Sequence, residues 1–140
     1  MSEYVLGPWG WVMRVAFFGV ALSGAAIGHS FWREPRPLAA LGMLGWSSGM
    51  VVAGLFRCDS SLPDRVRTWI GLAHDVGADG AFVAMAVAQV SGPRYGRVVA
   101  IVMVVAIVGF RLVNLAGLGQ RVFATLAIGW QLAVLVRARR

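Results

Sequence analysis

The chain has 140 residues, of which 59% are hydrophobic, and its mean hydropathy is +0.73. This composition is too apolar for an ordinary soluble domain and indicates a polytopic membrane protein. The 13 basic residues, all arginine, face 6 acidic ones, which gives a formal net charge of +7. Since most of these arginines lie between apolar stretches or at the C-terminus, we interpret them as juxtamembrane charge that attracts membrane lipid, and we expect no nucleic-acid partner.

Five apolar stretches predict transmembrane helices, at residues 9–28, 38–56, 70–90, 98–118 and 122–136. A loop at 29–37 follows the first, because Pro35 and Pro37 remove donors and bias the residues before them away from helix. Residues 117–121 are expected to interrupt the helical structure between the fourth and fifth helices. The fifth helix then has only about 15 residues, which is short for a bilayer. The sequence therefore predicts an all-α fold, a single polytopic transmembrane bundle of about five helices.

Small residues recur at helical spacing in two of these stretches. Gly45 and Gly49 are four apart in the second helix, and Ala73, Gly77 and Ala81 are four apart in the third. Such spacing permits close contact between transmembrane helices. We predict that both sets serve packing.

The arginines also predict the orientation of the bundle. Five helices put the termini on opposite sides of the membrane; side A is the side of the N-terminus and side B is the other. Side B receives Arg33, Arg36, Arg94, Arg97, Arg137, Arg139 and Arg140, whereas side A receives Arg57, Arg65, Arg67 and Arg121. Positive charge favours the cytoplasmic side. We expect a bacterial-type inner-membrane protein with its N-terminus outside and its C-terminus in the cytoplasm.

The third helix carries His74, Asp75 and Asp79 in its first half. Ionisable groups at membrane depth normally face protein or water and have a partner. Asp75 and Asp79 are four apart and share a helix face, whereas His74 is rotated by about 100° from Asp75. At 1.5 Å per residue, Arg111 and Asn114 of the fourth helix come to a similar depth from side A. We expect the polar side chains of the third helix to contact those of the fourth.

Three more polar residues are expected at that depth: Arg14 of the first helix, Ser48 of the second and Gln131 of the fifth. The sequence thus predicts a polar cavity open to side A and closed below by Val, Ile, Ala and Met side chains. The candidate catalytic residues are Asp75, Asp79, His74 and Asp59, with Asp59 and His74 as a base pair at the membrane surface. The candidate orienting residues are Arg111, Asn114, Arg14, Gln131 and Ser48.

Structural interpretations of the same residues stay open. The charges of Asp75, Asp79, Arg14 and Arg111 sum to zero, as in an ion-pair network that only holds helices in register. His74 is explained equally by a hydrogen bond to the preceding loop. The two histidines, His29 and His74, lie near opposite ends of their helices, so bis-histidine ligation of a haem is not expected. Metal binding through His74, Asp75 and Asp79 stays open, with oxygen-rich ligands that favour a hard cation or zinc. No metal site is predicted, because the spacing is unspecific and Arg111 would oppose a cation.

Three pieces of the chain, read in order, resemble the integral-membrane family catalogued as domain of unknown function 998: Gly54-Leu-Phe-Arg-Cys-Asp59, then His74 early in the next helix, then Gly117-Leu-Gly-Gln-Arg121 leading to a helix with Trp130. The resemblance covers roughly residues 38–140 and draws attention to Asp59 and His74. Members of that family usually have about six helices, so the resemblance implies that this chain lacks about one helix near its start. The family has no established activity to transfer.

Three functions compete at this level. The first is binding of a lipid- or isoprenoid-like apolar molecule in the cavity, or acid/base chemistry on it. The second is a structural or assembly role as a homo-oligomer or as a subunit of a larger membrane complex, favoured by the small size and the short fifth helix. The third is ion- or proton-coupled transport, for which five helices without an internal repeat are a poor basis. The sequence leaves open whether the protein is an enzyme and which cofactor, if any, it uses.

Overall fold

The computed structural model describes residues 7–59, 66–112 and 116–138. These residues contain no β-strand and form α1 (Gly10–Arg33), α2 (Pro37–Leu55), α3 (Trp69–Ser91), α4 (Arg94–Leu112) and α5 (Ala116–Ala138). All except α4 are long and apolar enough to cross a membrane. The predicted all-α transmembrane helix bundle is confirmed, and the chain is a membrane protein.

The first helix is longer than the sequence indicated. α1 continues to Arg33, so the predicted loop at 29–37 shrinks to three residues. The hydroxyl of Ser30 donates to the carbonyl of Ile27 at 2.7 Å, and the backbone N–H of Glu34 donates to the carbonyl of Ser30. A proline disfavours helix only at itself and at the residue before it, so Pro35 leaves the preceding turn intact, and Pro37 occupies the first position of α2.

The predicted break at residues 117–121 is wrong. α5 begins at Ala116 and has 23 residues, enough to span a bilayer. A Cβ atom at Gly119 would lie 3.0 Å from the Cβ of Phe110 and 3.3 Å from the carbonyl oxygen of Ala106. Glycine at this position therefore lets α4 and α5 approach each other and does not end a helix.

The closest contact in the bundle is between α2 and α3. A Cβ atom at Gly42 would lie 2.6 Å from the backbone nitrogen of Ala88. One at Gly49 would collide with the carbonyl oxygen of Gly77 and lie 2.7 Å from the Cβ of Ala81. The two helices touch from Gly42 to Val52 of α2, which confirms the predicted packing role of Gly45, Gly49, Gly77 and Ala81. The residues that permit this contact are Gly42, Gly45, Gly49, Gly77, Ala81, Ala84 and Ala88.

α1 lies on the other face of α2. The hydroxyl of Ser47 donates to the carbonyl of Ala21 at 2.8 Å, and Gly24 leaves room for the indole of Trp46. Ser47 is buried, so this bond supplies its polar group with a partner inside the bundle. α1, α2 and α3 thus form a compact layer with α2 in the middle.

α4 and α5 join this layer in the middle of the membrane and towards side B. The amide nitrogen of Gln89 donates to the sulfur of Met103 at 3.1 Å, and Phe31 packs on Trp130 with ring centroids 6.2 Å apart. At the side-B end the guanidinium of Arg137 lies 4.2 Å from the ring centroid of Tyr95. On side A, the space between α4 and α5 and the layer of α1, α2 and α3 is left open.

We predict that Gly49→Ala lowers the free energy of unfolding by about 1–3 kcal/mol, because its methyl group has no space between α2 and α3. Gly80→Ala is the matched control on α3: its Cβ would meet open space, so the change is neutral or stabilises by up to about 1 kcal/mol. Thermal unfolding of both variants in the same detergent measures the difference. Equal melting temperatures would contradict the described α2–α3 contact.

Candidate functional site

A cavity of about 520 Å³ lies between the helices at side A, and all five contribute to its walls. It extends from Met13 and Gln120, near the side-A ends of α1 and α5, down to Phe82. Phe82 is 13 residues beyond the start of α3, which places it about 20 Å along that helix at 1.5 Å per residue. Its volume lies within the range of roughly 300–1,000 Å³ that is usual for small-molecule sites.

The walls are mostly apolar, and part of the lining is aromatic. The rings of Phe82 and Phe123 have centroids 4.3 Å apart, and those of Trp46 and Phe123 are 6.3 Å apart. Phe82 and Trp46 line the cavity, and both pack against the buried ring of Phe123. The remaining apolar lining comes from Met13, Ala16, Phe17, Val20, Met50, Leu72, Val76, Ala78, Ile107, Ala124 and Ile128.

Asp75 and Asp79 lie on the cavity wall with Ala78 and Phe82, as their spacing on α3 predicts. Both aspartates are exposed, so water or a bound molecule can reach their carboxylates. The predicted pairing with Arg111 concerns a side chain outside the described residues, and Asn114 also lies outside them. An ion pair between described residues lies in the loop between α1 and α2, where Nε of Arg36 and Oε2 of Glu34 are 3.4 Å apart.

His74 has one bonded and one unbonded ring nitrogen. Its Nδ1 lies 2.9 Å from the carbonyl oxygens of Ala53 and Phe56, at the C-terminal end of α2. The side chain is only 1% exposed, and its Nε2 has no hydrogen-bond partner among the described residues. His74 also lines the cavity, where Phe17 packs edge-on against its ring at 6.2 Å. The predicted hydrogen bond between His74 and the chain before α3 is confirmed for Nδ1. It does not explain the role of Nε2.

Asp59 does not pair with His74 but organises the start of α3. Its carboxylate accepts hydrogen bonds from the backbone N–H and the hydroxyl of Thr68, both at 2.7 Å. The hydroxyl oxygen of Thr68 accepts from the N–H of Gly71 and caps the helix. Hydrogen bonds from the backbone N–H of Thr68 and then from its hydroxyl hold the pKa of Asp59 below its ordinary value. Desolvation opposes them by raising the pKa, and the charge of Arg67 adds a smaller lowering.

Three predicted orienting residues do not reach the cavity. Ser48 is exposed, and its hydroxyl donates to the carbonyl of Leu44 within α2. Gln131 lies two turns beyond Phe123 along α5, and its Oε1 accepts from the hydroxyl of Ser23 at 2.6 Å. Arg14 is half-buried and is not among the lining residues. Counting residues from helix ends predicts depth but not rotation, and α5 begins six residues earlier than expected, so Gln131 lies deeper.

Some cavity residues were missed by the sequence reasoning. Arg67 precedes α3 and lines the cavity at its opening, and Gln120 lines it from the first turns of α5. Gln120 was assigned to a break between helices, although a polar residue next to an apolar stretch is itself a signal for a cavity rim. No group of three or more His, Cys, Asp or Glu side chains that could hold a metal ion occurs in the described ranges.

Comparison of the chain with protein-family models, with curated proteins and with solved structures found no match. The resemblance to the family catalogued as domain of unknown function 998 therefore stays a prediction.

We predict that Asp59→Asn lowers the melting temperature at neutral pH, because it weakens the hydrogen bonds at the start of α3. The low folded-state pKa of Asp59 means that its carboxylate stabilises the fold above the unfolded value of about 3.9, and that this contribution is lost as the pH falls through the folded-state pKa. The difference in melting temperature between wild type and variant, measured from pH 7 down to pH 3, therefore shrinks at acidic pH. A difference that grows on acidification would contradict this role.

Proposed function

We propose that this membrane protein binds a lipid- or isoprenoid-like molecule, with the apolar part in the side-A cavity and the polar end among His74, Asp75 and Asp79. The observation that carries the proposal is the cavity of about 520 Å³ with mainly apolar walls and these three polar residues on one of them. A purely structural bundle has no need of such a space, since interiors pack to nearly crystalline density.

The apolar walls provide the affinity. Each methylene group moved from water into the cavity contributes about 0.8 kcal/mol. A chain of ten or more carbons is therefore held firmly between residues such as Val20, Met50 and Ile128. Polar groups on one wall then orient the molecule, as in most small-molecule sites.

Acid/base chemistry on the bound molecule is the second candidate. A histidine nitrogen without a partner and two carboxylates on the same wall are the groups that such chemistry uses. In that case His74 acts on the polar end of the molecule, and Asp75 and Asp79 are the nearest acids. Binding precedes turnover in either case, so binding is tested first.

We predict that Ala124→Phe, which fills part of the cavity from α5, reduces ligand occupancy by at least about tenfold, equivalent to about 1.4 kcal/mol. Ala26→Phe on α1 is the matched control, because Ala26 is exposed and does not line the cavity. Native mass spectrometry of the protein extracted gently from its own membrane measures bound amphiphile in wild type and both variants. Recovery of a larger complex with an empty cavity in the wild type would support the assembly role instead.

We further propose that the protein lies in a bacterial-type inner membrane with side A outside, so that the cavity opens away from the cytoplasm. The support is the excess of arginine at the side-B ends of the helices, including Arg33, Arg94 and Arg137. A green fluorescent protein fused after Arg140 is then fluorescent, whereas alkaline phosphatase fused at the same place is inactive. The opposite pair of results would invert the orientation.

A further inference from the structure

We propose that the polar end of the bound molecule carries a hydrogen-bond donor, a hydroxyl or amine group, which donates to Nε2 of His74. This inference rests on the proposed function and assigns the chemical class of the ligand. It starts from the one titratable side chain of the cavity wall that combines nearly complete burial with an unbonded polar atom.

The first step concerns the hydrogen on the imidazole ring. Nδ1 of His74 faces the carbonyl oxygens of Ala53 and Phe56, which can only accept. These carbonyls lie at the end of α2, where a helix lacks its own N–H donors. Nδ1 must therefore carry the hydrogen. In the neutral ring this leaves Nε2 with a lone pair and no hydrogen, so that it is an acceptor.

Nε2, as an acceptor, needs a hydrogen-bond donor. A buried acceptor left without a partner is costly, and nearly all buried polar atoms have one. No described protein group bonds Nε2, whereas the cavity lies beside the ring. A molecule in the cavity can supply the missing donor once a neighbouring side chain moves aside, because Nε2 has almost no accessible surface and Phe17 packs edge-on against the ring.

The third step concerns the neighbouring charges. Asp75 and Asp79 lie on the same helix and line the same cavity, and their carboxylates also accept hydrogen bonds. The wall formed by α3 is thus a group of acceptors, with the described basic residue, Arg67, at the opening. A donor such as a hydroxyl or an amine complements this wall, whereas a carboxylate or phosphate placed against it meets like charge.

The probes are farnesol and its methyl ether, which share the same chain and differ in the hydroxyl hydrogen. Both fill the apolar cavity, but only the alcohol can donate to Nε2. Binding of each to the purified full chain is measured by isothermal titration in one detergent. We expect wild type to prefer farnesol by about tenfold, the effect of one good hydrogen bond. Farnesylamine in the same assay separates an amine donor from a hydroxyl donor.

The matched variant is His74→Asn. The amide nitrogen of asparagine stands where Nδ1 of histidine stands, so it keeps a donor for the carbonyls of Ala53 and Phe56 while Nε2 is lost. We expect His74→Asn to bind farnesol and its methyl ether equally, at the wild-type affinity for the ether. Ser48→Ala is the control, because its hydroxyl bonds within α2 and lies outside the cavity; it keeps the preference.

A measurement on wild type avoids any loss of folding in the variant. The chain has two histidines, His29 and His74, so ¹⁵N-histidine labelling yields few signals. Farnesol is expected to shift the Nε2 resonance of His74, and the methyl ether leaves it in place. Equal binding of alcohol and ether to wild type, with no shift, would overturn the inference and leave cavity binding standing. Failure of all probes to bind, with no effect of Ala124→Phe, would overturn the proposed function itself.

Discussion

The fold depends on the direct contact between the backbones of α2 and α3. Without side chains at Gly42, Gly49 and Gly77, the two helices come close enough for backbone atoms to touch. In a membrane, where lipid is as apolar as a side chain, such close van der Waals packing is a main source of helix association. It also sets the register in which the C-terminal end of α2 lies beside the first turns of α3. His74 and Asp59 have their present roles because of that register.

The ionisable residues near side A therefore divide into two groups. Asp59 and Nδ1 of His74 bind free backbone groups at helix ends, where a helix lacks partners of its own. Asp75 and Asp79 are exposed on α3 and line the cavity. His74 belongs to both groups, because its Nδ1 binds the carbonyls at the end of α2 while the residue also lines the cavity.

The cavity exists because the contacts between the helices are distributed unevenly along the bundle. α4 and α5 meet the other helices through Phe123, Met103 and Trp130, in the middle of the membrane and towards side B. Glycine at position 119 lets the side-A ends of α4 and α5 approach each other. The space left open on side A has walls from all five helices, and Phe82 and Trp46, which pack around Phe123, belong to its lining.

Local properties of the sequence determined the number and type of elements. Hydrophobicity over about 20 residues and small residues four apart were enough to predict five helices, four of which are long and apolar enough to cross a membrane, the packing role of glycine in the second and third helices, and the shared face of Asp75 and Asp79. Only the tertiary structure decided where α5 begins, where Gln131 points and which partner Asp59 has. Those features depend on how helices rotate and shift against each other, which hydropathy does not encode. Gly119 shows the reason: the same residue can end a helix or let two helices touch, and its neighbours decide which.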